Sequence, residues 1–142
     1  MSPNGRTLLQ KMLMRQEGLR LSLNKDPAGF YEIGYGHCLA KKPISLDAAL
    51  FILNDDTQDA IRDLVTHEPW YTNLNEPRQS ALTSQVFNEG IAGVQGYHDM
   101  LAALKAEDWQ RAHDECLNST GAREDKARYA EIAQIYLTGE MT

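Results

Sequence analysis

The stretch from Leu21 to Leu39 constrains this chain more than any other part of it. Gly29, Gly34 and Gly36 punctuate the stretch, Asp26-Pro27 opens a turn, and Phe30, Tyr31, Ile33 and Tyr35 favour extended backbone. The spacing predicts short antiparallel strands, three in this length. Helical patterns stand on both sides. Leu8, Leu9, Met12 and Leu13 recur at helical spacing, and Gly18 follows where a glycine relieves a left-handed helix end. The first helix is therefore predicted to end at or near Glu17.

Beyond Pro43, Ser45 and Asp47 read as helix-start residues. Leu46, Ala49, Leu50, Leu53, Ala60, Ile61, Leu64 and Val65 continue as a long amphipathic stripe, a helix of about 20 residues. Asn75 and Pro77 open another helix, carrying Leu82, Val86 and Phe87 and predicted to stop near Gly90. Further helices are predicted over His98–Ala106, from Asp108 with Trp109, Ala112 and Cys116 inward, and over Arg123–Leu137 with Tyr129, Ile132, Ala133 and Tyr136 inward. The class is α+β: a small N-terminal antiparallel β region, joined by a long helix to a helical C-terminal lobe. One domain is expected over 1–142, with helix and β lobe at about 1–44, connecting helix at about 45–67 and helical lobe at about 70–142.

Composition narrows the function. Hydrophobic residues make up 42% of the chain, enough for a core, and exclude global disorder. Fourteen basic against 20 acidic residues give a formal charge of −6, which disfavours nucleic acid, whose affinity depends on neutralising phosphates. The same charge argues mildly against clinging to an anionic cell wall by charge alone. Cys38 and Cys116 are two distant cysteines, read as free thiols, and neither they nor the four histidines have metal-ligand spacing. No metal and no cofactor is expected. No apolar run reaches the roughly 18 residues of a membrane span, and no signal-peptide core precedes the first helix. Synthesis in the cytoplasm without stable membrane insertion is expected, with a monomer as the default.

Most of the acidic residues are expected to be solvated. Glu17 stands apart because the helix dipole disfavours negative charge at a C-terminal end, a setting suited to a proton donor. Asp26 lies in the next turn and Glu32 on the following strand. Three converging carboxylates repel one another and call for a nearby cation. Glycoside hydrolysis commonly uses two carboxyl groups, one to protonate the leaving oxygen and one to stay ionised.

The run Glu17-Gly18-Leu19-Arg20-Leu21, followed by Asp26-Pro27-Ala28-Gly29-Phe30-Tyr31-Glu32-Ile33-Gly34-Tyr35-Gly36-His37, resembles the active-site signature of phage-type lysozymes, glycoside hydrolase family 24. The likeness continues through Arg78-Gln79-Ser80-Ala81-Leu82, Phe87-Asn88-Glu89-Gly90, Gly96-Tyr97, Trp109 and Arg128 to Thr138-Gly139. It implies a lysozyme-like fold and a muramidase that cleaves the β-1,4 bond between N-acetylmuramic acid and N-acetylglucosamine in bacterial peptidoglycan. By position, Glu17 resembles the family's acid, Asp26 its second carboxylate and Arg128 the arginine that reaches toward the glutamate. Phe87 and Asn88 match positions lining the glycan cleft. His37 resembles a histidine that orders the β lobe by pairing with an acid on the long helix, here Asp56. The family habit also implies host-cell lysis by a phage, with a separate holin-like factor releasing the enzyme from the host cytoplasm to the periplasmic peptidoglycan.

Two positions depart from the pattern. Glu32 stands where the family usually has threonine. A carboxylate there serves as a general base in an inverting mechanism at about 6.5–9.5 Å from the acid, or as a nucleophile in a retaining or trapped enzyme at about 5–5.5 Å. It could equally silence the site, or be an engineered substitution. The alternative to an enzyme is then a catalytically silent peptidoglycan-binding or scaffold domain. Gly121 stands where many relatives carry tryptophan, a loss expected to weaken packing or sugar contact locally.

Overall fold

A computed structural model describes all 142 residues. The chain falls into two compact units, Met1–Leu50 and Phe51–Thr142. It is mostly helical with one small antiparallel sheet, the α+β class the sequence implies.

The first unit opens with α1, Pro3–Glu17. Pro3 occupies the first helical turn, where its missing N–H costs nothing, and the Ser2 hydroxyl accepts from Gly5 N at 3.1 Å. At the other end Gly18 takes φ 75° and returns its N–H to the Met14 carbonyl at 3.0 Å. The predicted end at Glu17 is the observed one. Three strands follow: β1 (Arg20–Lys25), β2 (Tyr31–Gly34) and β3 (His37–Cys38), in the order β1-β2-β3. The register sets Asn24 opposite Glu32 and Lys25 opposite Tyr31, then Glu32 opposite Cys38 and Ile33 opposite His37. None of the unit's residues is buried, so backbone hydrogen bonds and turn chemistry define the sheet rather than a core.

Helix α2, Leu46–His67, crosses from the first unit into the second. Ser45 caps it, its hydroxyl accepting from Ala48 N at 3.1 Å. The core belongs to the second unit, beginning with Ala60 and Leu64 of α2. After a short 3-10 turn at Pro69–Asn73 come α3 (Glu76–Gln95), α4 (His98–Lys105), α5 (Trp109–Leu117), α6 (Thr120–Glu124) and α7 (Lys126–Thr138). No helix is long and apolar enough to cross a membrane.

One helix boundary follows the sequence expectation and another differs from it. The helix opened by Asn75 and Pro77 breaks at Gly90 as predicted: that residue takes the non-helical φ 77° and ψ 161°, and a second helical stretch of α3 follows through Gln95 with Val94 buried. Glycine tolerates the left-handed region, so one glycine can bend a helix as readily as finish it. The single helix predicted over Arg123–Leu137 is instead two, divided at Asp125. The Asp125 carboxylate accepts from Arg128 N at 3.2 Å and starts α7 afresh.

Polar side chains tie the helices together through the core. Arg78 of α3 donates from Nε to the Tyr136 carbonyl at 2.9 Å, from Nη2 to the Leu137 carbonyl at 3.4 Å, and lies over the Trp109 ring at 3.7 Å. A guanidinium at the C-terminal end of α7 complements the helix dipole while satisfying its last carbonyls. Deeper in, the fully buried Tyr136 hydroxyl donates to the side-chain oxygen of the fully buried Gln85.

Burial holds the Tyr136 phenol well above the ordinary tyrosine range and pushes the Cys116 thiol up to about 12. Unfolded, such groups lose their protons near about pH 10 and 8.5. The folded chain therefore binds these protons more tightly, and the resulting stability is present at neutral pH and lost as pH rises. The urea midpoint is expected to stay level from about pH 7 to 8 and to fall progressively above about pH 9. A midpoint that climbs across that interval would contradict the burial of these two groups.

Candidate active site

Glu17 is the last residue of α1, and Gly18 turns the chain directly into the strands. The strands then return to the helix end. Gly36, in the turn between β2 and β3, has φ 72°, and a Cβ built there would lie 2.7 Å from Glu17 Oε2 and 3.0 Å from its carboxyl carbon. The Glu17 carboxylate thus rests on backbone that has no side chain. The two glycines of Gly34-Tyr35-Gly36 have different reasons to be glycine. Gly34 needs only its φ of 71°, since nothing lies within 4 Å of a Cβ built there, whereas Gly36 needs both its φ and the vacant space.

Asp26 closes the β1–β2 hairpin. Its N–H donates to the Phe30 carbonyl at 2.8 Å, and its Oδ1 accepts from Phe30 N at 2.9 Å. This is the side-chain turn chemistry that makes Asp-Pro a turn opener. The same carboxylate singled out for catalysis therefore also builds the hairpin that carries it.

Glu32 occupies the middle strand with Asn24 opposite on β1 and Cys38 opposite on β3. Residues directly opposed in antiparallel strands share a sheet face, so the three side chains form one row. Within the row Asn24 Nδ2 donates to Glu32 Oε1 at 3.4 Å. Sequence reasoning missed Asn24, because only the register shows that it faces Glu32. His37 Nε2 lies 3.0 Å from the Lys42 carbonyl. A carbonyl only accepts, so Nε2 carries the hydrogen, and the ring fastens β3 to the turn after it.

In the second unit, Phe87 and Asn88 stand just before the bend at Gly90. Phe87 is 47% exposed, which removes it from the core. Arg128 lies in the first turn of α7 with Nε 3.5 Å from Asp125 Oδ2. Gly121 is buried, and a Cβ there would run into the Tyr129 ring. The Tyr129 ring from α7 occupies the room that a side chain at this position would need.

The phage lysozyme family pattern matches residues 14–128. The chain belongs to the phage lysozyme family. Among curated proteins it is 29% identical to the pre-baseplate central spike protein Gp5 of Enterobacteria phage T4, over 94% of this chain and 28% of that protein's length. It is 25% and 23% identical to the probable T4-type lysozymes 2 and 1 of Dictyostelium discoideum, in each case over 94% of this chain and 95% of the relative. The chain thus spans about a quarter of the spike protein and nearly the whole of either amoebal relative. The matched span includes Glu17, Asp26, Glu32, His37, Phe87, Asn88 and Arg128 of this family member.

The Glu17–Gly36 contact yields a direct test. Gly36→Ala combines a disfavoured φ with a methyl group in the space of the carboxylate, so it should displace Glu17. Muramidase activity is expected to fall by about 10²-fold or more, as for loss of a positioned acid. The unfolding free energy of the second unit in urea, followed by tryptophan fluorescence, should stay within about 0.5 kcal/mol of the parent. A Gly36→Ala variant as active as the parent would show that the contact does not place the acid.

Proposed function

We propose that this chain is a muramidase that hydrolyses the β-1,4 bond between N-acetylmuramic acid and N-acetylglucosamine in bacterial peptidoglycan. The observation that carries this reading is the Glu17 carboxylate seated on Gly36, in the turn leading out of the strand that holds Glu32. A helix end and a glycine turn, adjacent in space, set the acid beside the end of the strand that bears Glu32.

In this reading Glu17 delivers its proton to the glycosidic oxygen as the bond to the muramic acid C1 breaks. Asp26 remains ionised and stabilises the positive charge that develops on the sugar. Glu32 accepts a proton from water as the water oxygen bonds to C1 from the opposite face. Hydrolysis consumes one water molecule, and the proton taken by Glu32 balances the one given by Glu17. Asn24 holds one Glu32 oxygen and leaves the other free to act on the water. Inversion at C1 follows. Phe87 and Asn88 contact the glycan, and His37 fastens the strand that follows Gly36 to the turn beyond it. The biological setting that fits is phage-driven host lysis, with a separate holin-like factor releasing a monomeric enzyme from the host cytoplasm to the periplasmic peptidoglycan.

The test is release of new reducing ends from purified peptidoglycan, alongside clearing of outer-membrane-permeabilised Gram-negative cells. Glu17→Gln and Glu32→Gln should each lower turnover by about 10²–10⁴-fold, the range of a positioned acid or base. Faster turnover in Glu32→Gln would mean that the carboxylate obstructs the site. Parent protein that co-sediments with peptidoglycan yet releases no ends would establish a silent binding domain instead.

A further inference from the structure

Glu89 is absent from the roles above, yet each of its carboxylate oxygens accepts a tyrosine hydroxyl from another element. Its Oε1 accepts from the Tyr97 hydroxyl at 2.6 Å, and its Oε2 accepts from the Tyr129 hydroxyl. Tyr97 stands just before α4 and Tyr129 lies in α7, so one carboxylate joins α3 to two other elements. The Tyr97 hydroxyl also lies 3.0 Å from Thr120 Oγ1 and accepts from Gly121 N at 3.2 Å, which brings in the start of α6. Tyr129 reaches Glu89 because Gly121 has no Cβ, which leaves room for the phenol ring. Burial, and next the hydrogen bond to Glu89, raise both phenols above the ordinary tyrosine value, so they remain donors at neutral pH.

The position of Glu89 gives this arrangement its consequence. Phe87 and Asn88 directly precede it, and Gly90, the bend in α3, directly follows. Nothing lies within 4 Å of a Cβ built on Gly90, so the bend itself carries no side-chain contact, and its direction is set by what holds the residues on either side. Backbone at a glycine is free to take several directions. Two hydrogen bonds to one side chain, from separate elements, select one of them.

We infer that Glu89 is a positioning residue for glycan binding: clamped by Tyr97 and Tyr129, it fixes the bend of α3 and so presents Phe87 and Asn88 to the substrate. The inference rests on the assignment of Phe87 and Asn88 to the glycan in the proposed function. Glu89 itself touches no reacting atom. Its loss should therefore weaken substrate binding and leave the chemical step alone, a separation that general destabilisation would not produce.

The experiment measures kcat and KM on soluble peptidoglycan fragments for the parent, Glu89→Ala, Glu89→Gln, and Glu89→Ala in a Phe87→Ala/Asn88→Ala background. Glu89→Ala should raise KM about three- to tenfold and keep kcat within about twofold, the scale of one hydrogen-bonded arrangement. Glu89→Gln retains an acceptor oxygen and should bring KM back to within about threefold of the parent. In the doubly substituted background Glu89→Ala should add no further KM penalty, because the groups that Glu89 positions are gone. An unchanged KM in Glu89→Ala, or a penalty that adds in full to the background's, would overturn the inference. Should Glu89→Ala fail to fold, Tyr97→Phe removes one arm of the clamp and should raise KM about two- to threefold, an unchanged KM counting against it. Parent protein that releases no reducing ends would sink the proposed function rather than the clamp. The clamp is then read from Kd for purified peptidoglycan in the same variants, with the same pattern expected.

Discussion

A carboxylate can lie flat against a backbone only where that backbone has no side chain. The contact between Glu17 and Gly36 meets this condition, and the first unit is arranged around it. Gly18 ends α1 with Glu17 as its last residue, and the strands carry the chain back until a second positive-φ glycine lies under the carboxylate. The unit buries no residue, so its geometry depends on directional terms: helix caps, the Asp26 turn, strand register and the His37 link to Lys42. Such terms are individually small, each near about 1 kcal/mol net, but they specify direction, which a proton donor needs.

The second unit solves a different problem. It has a buried core, yet it threads polar groups through that core at defined places. Arg78 finishes α7 from α3, Tyr136 pairs with Gln85, and Glu89 gathers the hydroxyls of Tyr97 and Tyr129. Each connection ties one helix to another element, and no buried side-chain nitrogen or oxygen is left without a partner. Buried polar groups with all partners present select one helix arrangement over alternatives that apolar packing alone would tolerate. Gly121 and the Tyr129 ring belong to this scheme, one making room for the other.

What can be read from the sequence divides along the same line. Features determined within a few residues are legible: α1 ending before Gly18, Asp26-Pro27 opening the hairpin, Ser45 starting α2, and the inward set of α7. The break at Gly90 is legible for the same reason, whereas the helical stretch just beyond it is not, since burial of Val94 holds it. The break at Asp125 escapes a sequence reading because an aspartate inside a helical pattern only becomes a cap when its carboxylate turns to Arg128 N. At the candidate site, Glu17, Asp26 and Glu32 stand out by local setting and motif. Asn24 does not, since it acquires meaning only opposite Glu32, and Glu89 does not, since its partners lie 8 and 40 residues away.

The central claim is that Glu17 and Glu32 work as acid and base across one glycosidic bond, with water as the attacking group. The most direct measurement is the anomeric configuration of the first muramic acid reducing end released from soluble glycan strands, read by proton NMR before mutarotation. The account predicts that the α-anomer appears first. A β-anomer appearing first, or a glycan retained covalently on the chain in the intact mass, would contradict it.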